Sequence, residues 1–176
     1  MKMKAYFYEE SSLNPHSPND SGELATLDDL RRIGVNYRHQ DEDLVAFANQ
    51  IMEEFAFRER DEVVISRKTF GDAYDAKLAT FFEEHLHEDD ESRLILDGEG
   101  FFDVRSADDR WIRVLVEKGD LLVLPAGLYH RFTTTEKHYT HAMRLFLENP
   151  KWIALPRTAE AEKSECRQAY LRSIQQ

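Results

Sequence analysis

A chain of 176 residues is long enough for one ordinary domain with a sizeable core. A hydrophobic fraction of 41% beside a charged fraction of 32% excludes a disordered chain. The formal net charge of -11 sets the surface against phosphate backbones and anionic lipid, so neither nucleic-acid binding nor stable membrane association is expected.

The chain opens without a basic lead, long apolar run and small-residue cleavage site, and no apolar run nears the ~20 residues that span a bilayer. Lys4 to Tyr8 reads as a short strand, and residues 10–22, rich in Ser, Asn, Pro, Asp and Gly, as a loop. Thr26 is a helix N-cap ahead of Leu27-Asp28-Asp29-Leu30, and Gly34 stops that helix. From Leu44 to Phe57 the apolar residues Leu44, Phe47, Ala48, Ile51 and Phe55 keep helical spacing, which predicts an amphipathic helix. A further helix is expected from about Asp72 to Thr80.

The pattern then changes to short runs rich in Val, Ile, Leu, Phe and Tyr: Phe81–Leu86, Arg93–Leu96, Gly100–Val104, Trp111–Glu117, Leu121–Leu124, Tyr129–Thr133 and His141–Leu147. Turn signals separate them at Asp97-Gly98, Asp108-Asp109, Lys118-Gly119-Asp120 and Pro125-Ala126-Gly127. Many closely spaced short strands imply a sandwich or barrel. From Thr158 to Gln176 a polar stretch and a helix follow, carrying the one cysteine, Cys166. A single thiol forms no internal disulfide and fits a reducing, intracellular compartment. No linker divides the chain, so 1–176 is expected to be one domain: α/β elements over 1–80, a barrel core over 81–155 and a helical tail over 156–176.

His85 and His87 stand two residues apart, so on a strand both point to one face, and Glu91 shares their parity. A helix would set residues 85 and 87 about 200° apart, unable to present both to one ion. Far along the chain, Gly119-Asp-Leu-Leu-Val-Leu-Pro125-Ala-Gly127-Leu-Tyr-His130 places a fourth candidate just after a corner built by proline and glycine. Three neutral imidazoles and a carboxylate suit a borderline divalent ion such as Fe(II), Ni(II), Mn(II) or Zn(II). Four protein ligands leave two positions of an octahedral ion open to a chelating substrate, and the cysteines of a structural zinc finger are lacking. His16, His39, His138 and His141 belong to no such pattern and read as loop or surface residues; Glu88 and Asp89 read as a solvated acidic turn, and Glu83 stays ambiguous.

His85-x-His87-x-x-x-Glu91 followed by Gly98 resembles the first cupin motif, and Gly119-x5-Pro125-x-Gly127-x-x-His130 the second. Ala79 and Thr134 depart from it where a glycine and an asparagine are usual, and neither is a ligand position. FFEEHLHEDDESRLILDGEGFFDVR (81–105), WIRVLVEKGDLLVLPAGLYHRF (111–132), HAMRLF (141–146), TLDDLRRIGVNY and Trp152 resemble the acireductone dioxygenase family, its eukaryotic branch above all. That resemblance implies a mostly β fold, a cupin double-stranded β-helix barrel with a mixed α/β N-terminal part and a C-terminal helix. It implies one Fe(II) or Ni(II) per chain, held by His85, His87, Glu91 and His130, and an acireductone substrate that reacts with O2. It further implies Arg93 and Arg144 as charge-stabilising catalytic residues and Phe81, Phe132 and Trp152 as walls around the apolar tail. Glu84 and Asp90, acidic neighbours of the ligands, are expected to orient the imidazoles. A monomer, in cytoplasm and nucleus, completes what it implies. A cupin sugar-phosphate isomerase and a non-enzymatic regulatory cupin stay open as alternatives.

Overall fold

The computed structural model describes residues 3–10 and 13–175. Residues 11–12, within the expected loop, and Gln176, at the end of the expected tail, lie outside the described residues. The chain begins with an antiparallel pair, β1 (Lys4–Tyr8) and β2 (Asp20–Leu24). β2 takes the last three positions of the stretch expected to be loop. All five of its residues are exposed, so it has no buried face to leave a hydrophobic alternation, and its backbone bonds to β1 define it. α1 (Leu27–Arg32) starts where expected: the Asp29 N–H donates to the Thr26 hydroxyl and the Thr26 N–H to the Asp29 carboxylate, a capping box. β3 (Asn36–His39), α2 (Leu44–Glu54) and β4 (Glu59–Ser66) follow. Then come α3 (Arg67–Phe70), a 3-10 turn over Gly71–Ala73 and α4 (Tyr74–Phe82).

The remaining strands are β5 (His85–Leu86), β6 (Glu91–Arg105), β7 (Trp111–Glu117), β8 (Asp120–Leu124), β9 (His130–Thr134), β10 (Tyr139–Phe146) and β11 (Leu155–Pro156). Two short helices close the chain, α5 (Ala159–Lys163) and α6 (Glu165–Ser173). The expected strand over 81–86 is corrected: Phe81 and Phe82 belong to the last turn of α4, and only His85 and Leu86 are strand. The aromatic pair continues the helix face of Tyr74 and Leu78, spaced by four and by seven or eight residues.

The expected turn at Asp97-Gly98 is also corrected, because β6 runs unbroken for 15 residues. Its first part pairs with β8 and β10, and its second, from Glu99, with β7 and β9. The strand passes from one sheet to the other at Gly98, at φ 73°, beside a register irregularity against β10. One sheet therefore runs β2-β1-β7-β6-β9-β5-β11, and the second runs β3-β8-β6-β10-β4. Between their inner faces one core cluster joins Phe7, Phe102, Val104, Ile112, Val114, Leu122, Leu124 and Ala142. This is the mostly β barrel expected. α2 covers the outside of the second sheet through Phe47, Ala48 and Ile51 against Leu94, Leu121 and Met143. Among the described residues no helix is long and apolar enough to cross a membrane.

A Cβ at Gly98 would stand 2.4 Å from the Tyr139 carbonyl oxygen and 2.6 Å from its ring. Backbone cannot swing aside as a long side chain can, and a positive φ strains any L side chain. Gly98→Ala is therefore expected to destabilise the fold by about 2 kcal/mol, read as a lower midpoint in urea. A midpoint equal to that of the parent would show that β6 does not need the bend.

Candidate metal centre

β5 carries His85, β9 begins with His130 and β6 begins with Glu91. The register pairs His85 directly with His130. The chain leaves strand geometry after Leu86 and resumes it at Glu91, so Glu91 reaches the site through a bend rather than a continuous extended register. The ligand atoms of His85, His87 and His130 all lie within 4.8 Å of one another. Glu91 Oε2 stands 3.0 Å from His87 Nε2 and 3.1 Å from His130 Nε2. Ligands about 2.1 Å from one ion on perpendicular axes stand about 3 Å apart, so the spacing fits a shared cation. The donors fit too: three nitrogens and a carboxylate suit a borderline divalent metal.

Each imidazole is aimed by a backbone carbonyl. The Nδ1–H groups donate to Glu83 O at 2.6 Å from His85, to Ile153 O at 3.1 Å from His87 and to Leu128 O at 2.9 Å from His130. That places the proton on Nδ1 and leaves the Nε2 lone pairs facing the centre. The orienting role expected of Glu84 and Asp90 is corrected accordingly. Glu84 binds Arg105 at 2.8 and 2.9 Å and Arg157 at 3.0 Å, while Asp90 accepts the Ala126 N–H at 2.9 Å. Glu84 precedes the two-residue β5, and its carboxylate is committed to Arg105 and Arg157 rather than to an imidazole. The carbonyls that replace these carboxylates have no signature in a sequence.

Burial, with the His130 imidazole beside it, brings the pKa of His85 down to about 4, so this ring is neutral near pH 7. Burial opposes the Glu91 carboxylate, but the Arg93 guanidinium at 3.2 Å and the His130 and His87 imidazoles hold its pKa well below the usual carboxylate range. Burial also opposes a charge on His87, yet its bond to Glu91 leaves its pKa raised. The neutral His85 and ionised Glu91 are the forms that ligate a cation.

The four residues form the polar end of a cavity of about 380 Å³. Phe81, Phe132 and Trp152 all line it, as do Arg93, Arg144, Asp89 and Asp90. Arg93 donates to Ser92 O at 2.9 Å and faces Arg144 across the β6–β10 ladder. Arg144 holds Asp61 through both carboxylate oxygens, Nε to Oδ1 at 2.7 Å, and lies 4.4 Å over the Trp152 ring. Asp89 is not the solvated residue expected: it accepts the Lys151 N–H at 2.7 Å, whereas Glu88 is exposed. The other four histidines stand outside the cluster but are half-buried rather than free surface groups. His16 bonds Thr134 O, His39 bonds Asp120 and Asp41, His138 bonds Tyr74, and His141 bonds Glu62.

The model of the ARD/ARD' family matches residues 4–154. The chain belongs to the ARD/ARD' family. It is 57% identical over 173 residues to acireductone dioxygenase of Schizosaccharomyces pombe, covering 98% of this chain and 97% of that one. It is 48% identical over 173 residues to acireductone dioxygenase of Aspergillus fumigatus, with 98% and 97% covered. A solved acireductone dioxygenase from Bacillus anthracis, with a cadmium ion in its active center, shares the fold. The TM-score is 0.64 at 23% identity, covering 72% of this chain and 85% of that one.

The lowered pKa of His85 has a consequence for metal-free protein. Between pH 6.5 and about 4 the folded His85 holds fewer protons than the unfolded one, so stability rises with pH across that window and is lost as pH falls. We expect His85→Gln to flatten the fall in melting temperature over this range relative to the parent. Parallel curves from calorimetry would refute the assignment.

Proposed function

We propose that this chain is an acireductone dioxygenase of methionine salvage. The observation that carries the reading is three carbonyl-pinned imidazoles converging with Glu91 at the polar end of a cavity walled by Phe81, Phe132 and Trp152. His85, His87, Glu91 and His130 would hold one Fe(II) or Ni(II). When bound, the metal supplies Lewis-acid polarisation and a template for a chelating ene-diolate. Arg93, paired with the ligand Glu91, presents positive charge where the substrate dianion would sit. Arg144, held by Asp61 and stacked on Trp152, builds the cavity wall. Phe81 meets Phe132 edge-on at 6.4 Å, and the pair shields an apolar methylthio tail from water.

The substrate proposed is 1,2-dihydroxy-3-keto-5-methylthiopentene, consumed with O2. The iron form would yield formate and 4-methylthio-2-oxobutanoate, and the nickel form formate, CO and 3-methylthiopropanoate. A sugar-phosphate isomerase would need clustered free cations. Arg113 and Arg131 are instead tied to the buried Asp103 at 2.7 and 2.8 Å, and Arg144 to Asp61. We read 1–176 as one domain, since β3 and β4 from the N-terminal part complete the second sheet. A monomer in cytoplasm and nucleus rests on the resemblance to eukaryotic members.

The test is anaerobic loading of metal-free protein with Fe(II) or Ni(II), then addition of the acireductone and O2. Metal-dependent substrate decay, with CO from the nickel form alone, is the expected result; decay no faster than in buffer with either metal would overturn the reading. Arg93→Ala is expected to keep its metal and lose roughly 100-fold in kcat/KM. Unchanged kinetics would remove Arg93 from the chemistry.

A further inference from the structure

The family model stops at residue 154, yet the chain beyond it touches the metal centre's scaffold at three places. β11 pairs with the strand that bears the first ligand, Leu155 opposite Leu86 and Pro156 opposite His85. The Arg157 N–H then reaches Glu84 O at 3.3 Å. The third contact lies on the corner Pro125-Ala126-Gly127-Leu128. There the Arg167 Nη1 donates to the Gly127 carbonyl at 3.0 Å in a buried setting.

That corner serves two ligands at once. The Gly127 N–H donates to the His87 carbonyl at 2.9 Å, and the Leu128 carbonyl accepts the His130 Nδ1–H at 2.9 Å. α6 rests directly on it: a Cβ at Gly127, φ 84°, would stand 2.6 Å from Cys166 O and 2.8 Å from Tyr170 Cβ. Arg167 is 9% exposed, with its guanidinium 4.5 Å over Tyr129 and 3.5 Å from Glu162. Burying a guanidinium costs it its hydration, and an apolar residue would seat the helix at lower cost. Glu162 and the Tyr129 ring offset part of that cost, and the hydrogen bond the guanidinium itself donates goes to the Gly127 carbonyl, on the corner that serves both ligands.

We propose that Arg167 is a positioning residue of the metal centre, fixing the Gly127–Leu128 corner so that His87 and His130 meet one ion. The inference rests on the metal reading above. The tail from Leu155 to Tyr170 is thereby a working part of the site.

The test is calorimetric titration of metal-free, full-length protein with Ni(II), beside absorption spectra of the Co(II)-loaded form. Arg167→Met keeps the stem and removes the donor, and we expect Ni(II) affinity to fall roughly 10- to 100-fold with altered Co(II) bands. Arg167→Gln, too short to reach Gly127, is expected to behave alike and serves if the methionine variant does not fold; Arg167→Lys is expected to recover part of the affinity. Tyr170→Phe removes the 2.9 Å bond from α6 to Ile33 O and keeps the Arg167 donor and the Tyr170 Cβ beside Gly127. It is expected to lower the melting temperature and leave Ni(II) affinity unchanged. Parental affinity and spectra in a folded Arg167→Met or Arg167→Gln variant would overturn the proposal, as would an equal affinity loss in Tyr170→Phe. A parent that binds no Ni(II) would overturn the metal reading itself, and this proposal with it.

Discussion

The geometry of the centre depends on three backbone carbonyls. By accepting the Nδ1 protons of His85, His87 and His130 they fix each ring's tautomer and direction, and the three Nε2 lone pairs converge. One such bond contributes only about 1 kcal/mol to stability, but a rotated ring gives an ion nothing to bind. The carbonyls come from three different places: the residue after α4, the corner before β9 and the segment between β10 and β11. Each therefore depends on a piece of chain docked by the barrel. The helix ending at Phe82, the glycine corner and the terminal pairing of β11 all act as supports for side chains they do not themselves carry.

Charge in the cavity is arranged as a ladder. Glu91, Arg93, Arg144 and Asp61 follow one another across β6, β10 and β4, so a carboxylate flanks the like-charged arginine pair on each side. Little of this is exposed near the ligands, and in a low-dielectric setting each charge needs its neighbour. Arg144 is satisfied by a carboxylate in two-pronged contact and by an indole face. Among the described residues, Arg93 pairs with Glu91 and donates to a backbone carbonyl. The two arginines therefore differ in how fully their charge is matched by neighbours.

Much of this was legible in the sequence, and the rest was hidden for identifiable reasons. β7 falls on Trp111–Glu117 as read, and β8, β9 and β10 lie within two residues of their expected ends, because buried strands keep dense β-branched runs. β2 and β3 were invisible, since DSGEL has no buried face and NYRH offers the core a single aromatic, Tyr37, among polar residues. In β4 the charged start ERDE masks the apolar end. Gly98 marked a break correctly, but the break is a bend between sheets rather than a turn. In the site, the pairing of His85 with His87 followed from alternation alone, whereas Glu91 arrives through a bend that alternation does not describe. Glu84 and Asp90 were assigned by adjacency to the ligands, and adjacency says nothing about face.

The central claim is one divalent metal per chain held by three imidazoles and Glu91. X-ray absorption on stoichiometrically nickel-loaded protein tests it most directly. The expected result is one Ni(II) per chain in an all nitrogen and oxygen shell, with the multiple-scattering signature of three imidazoles. A shell containing sulfur, or one with fewer than three imidazoles, would contradict it.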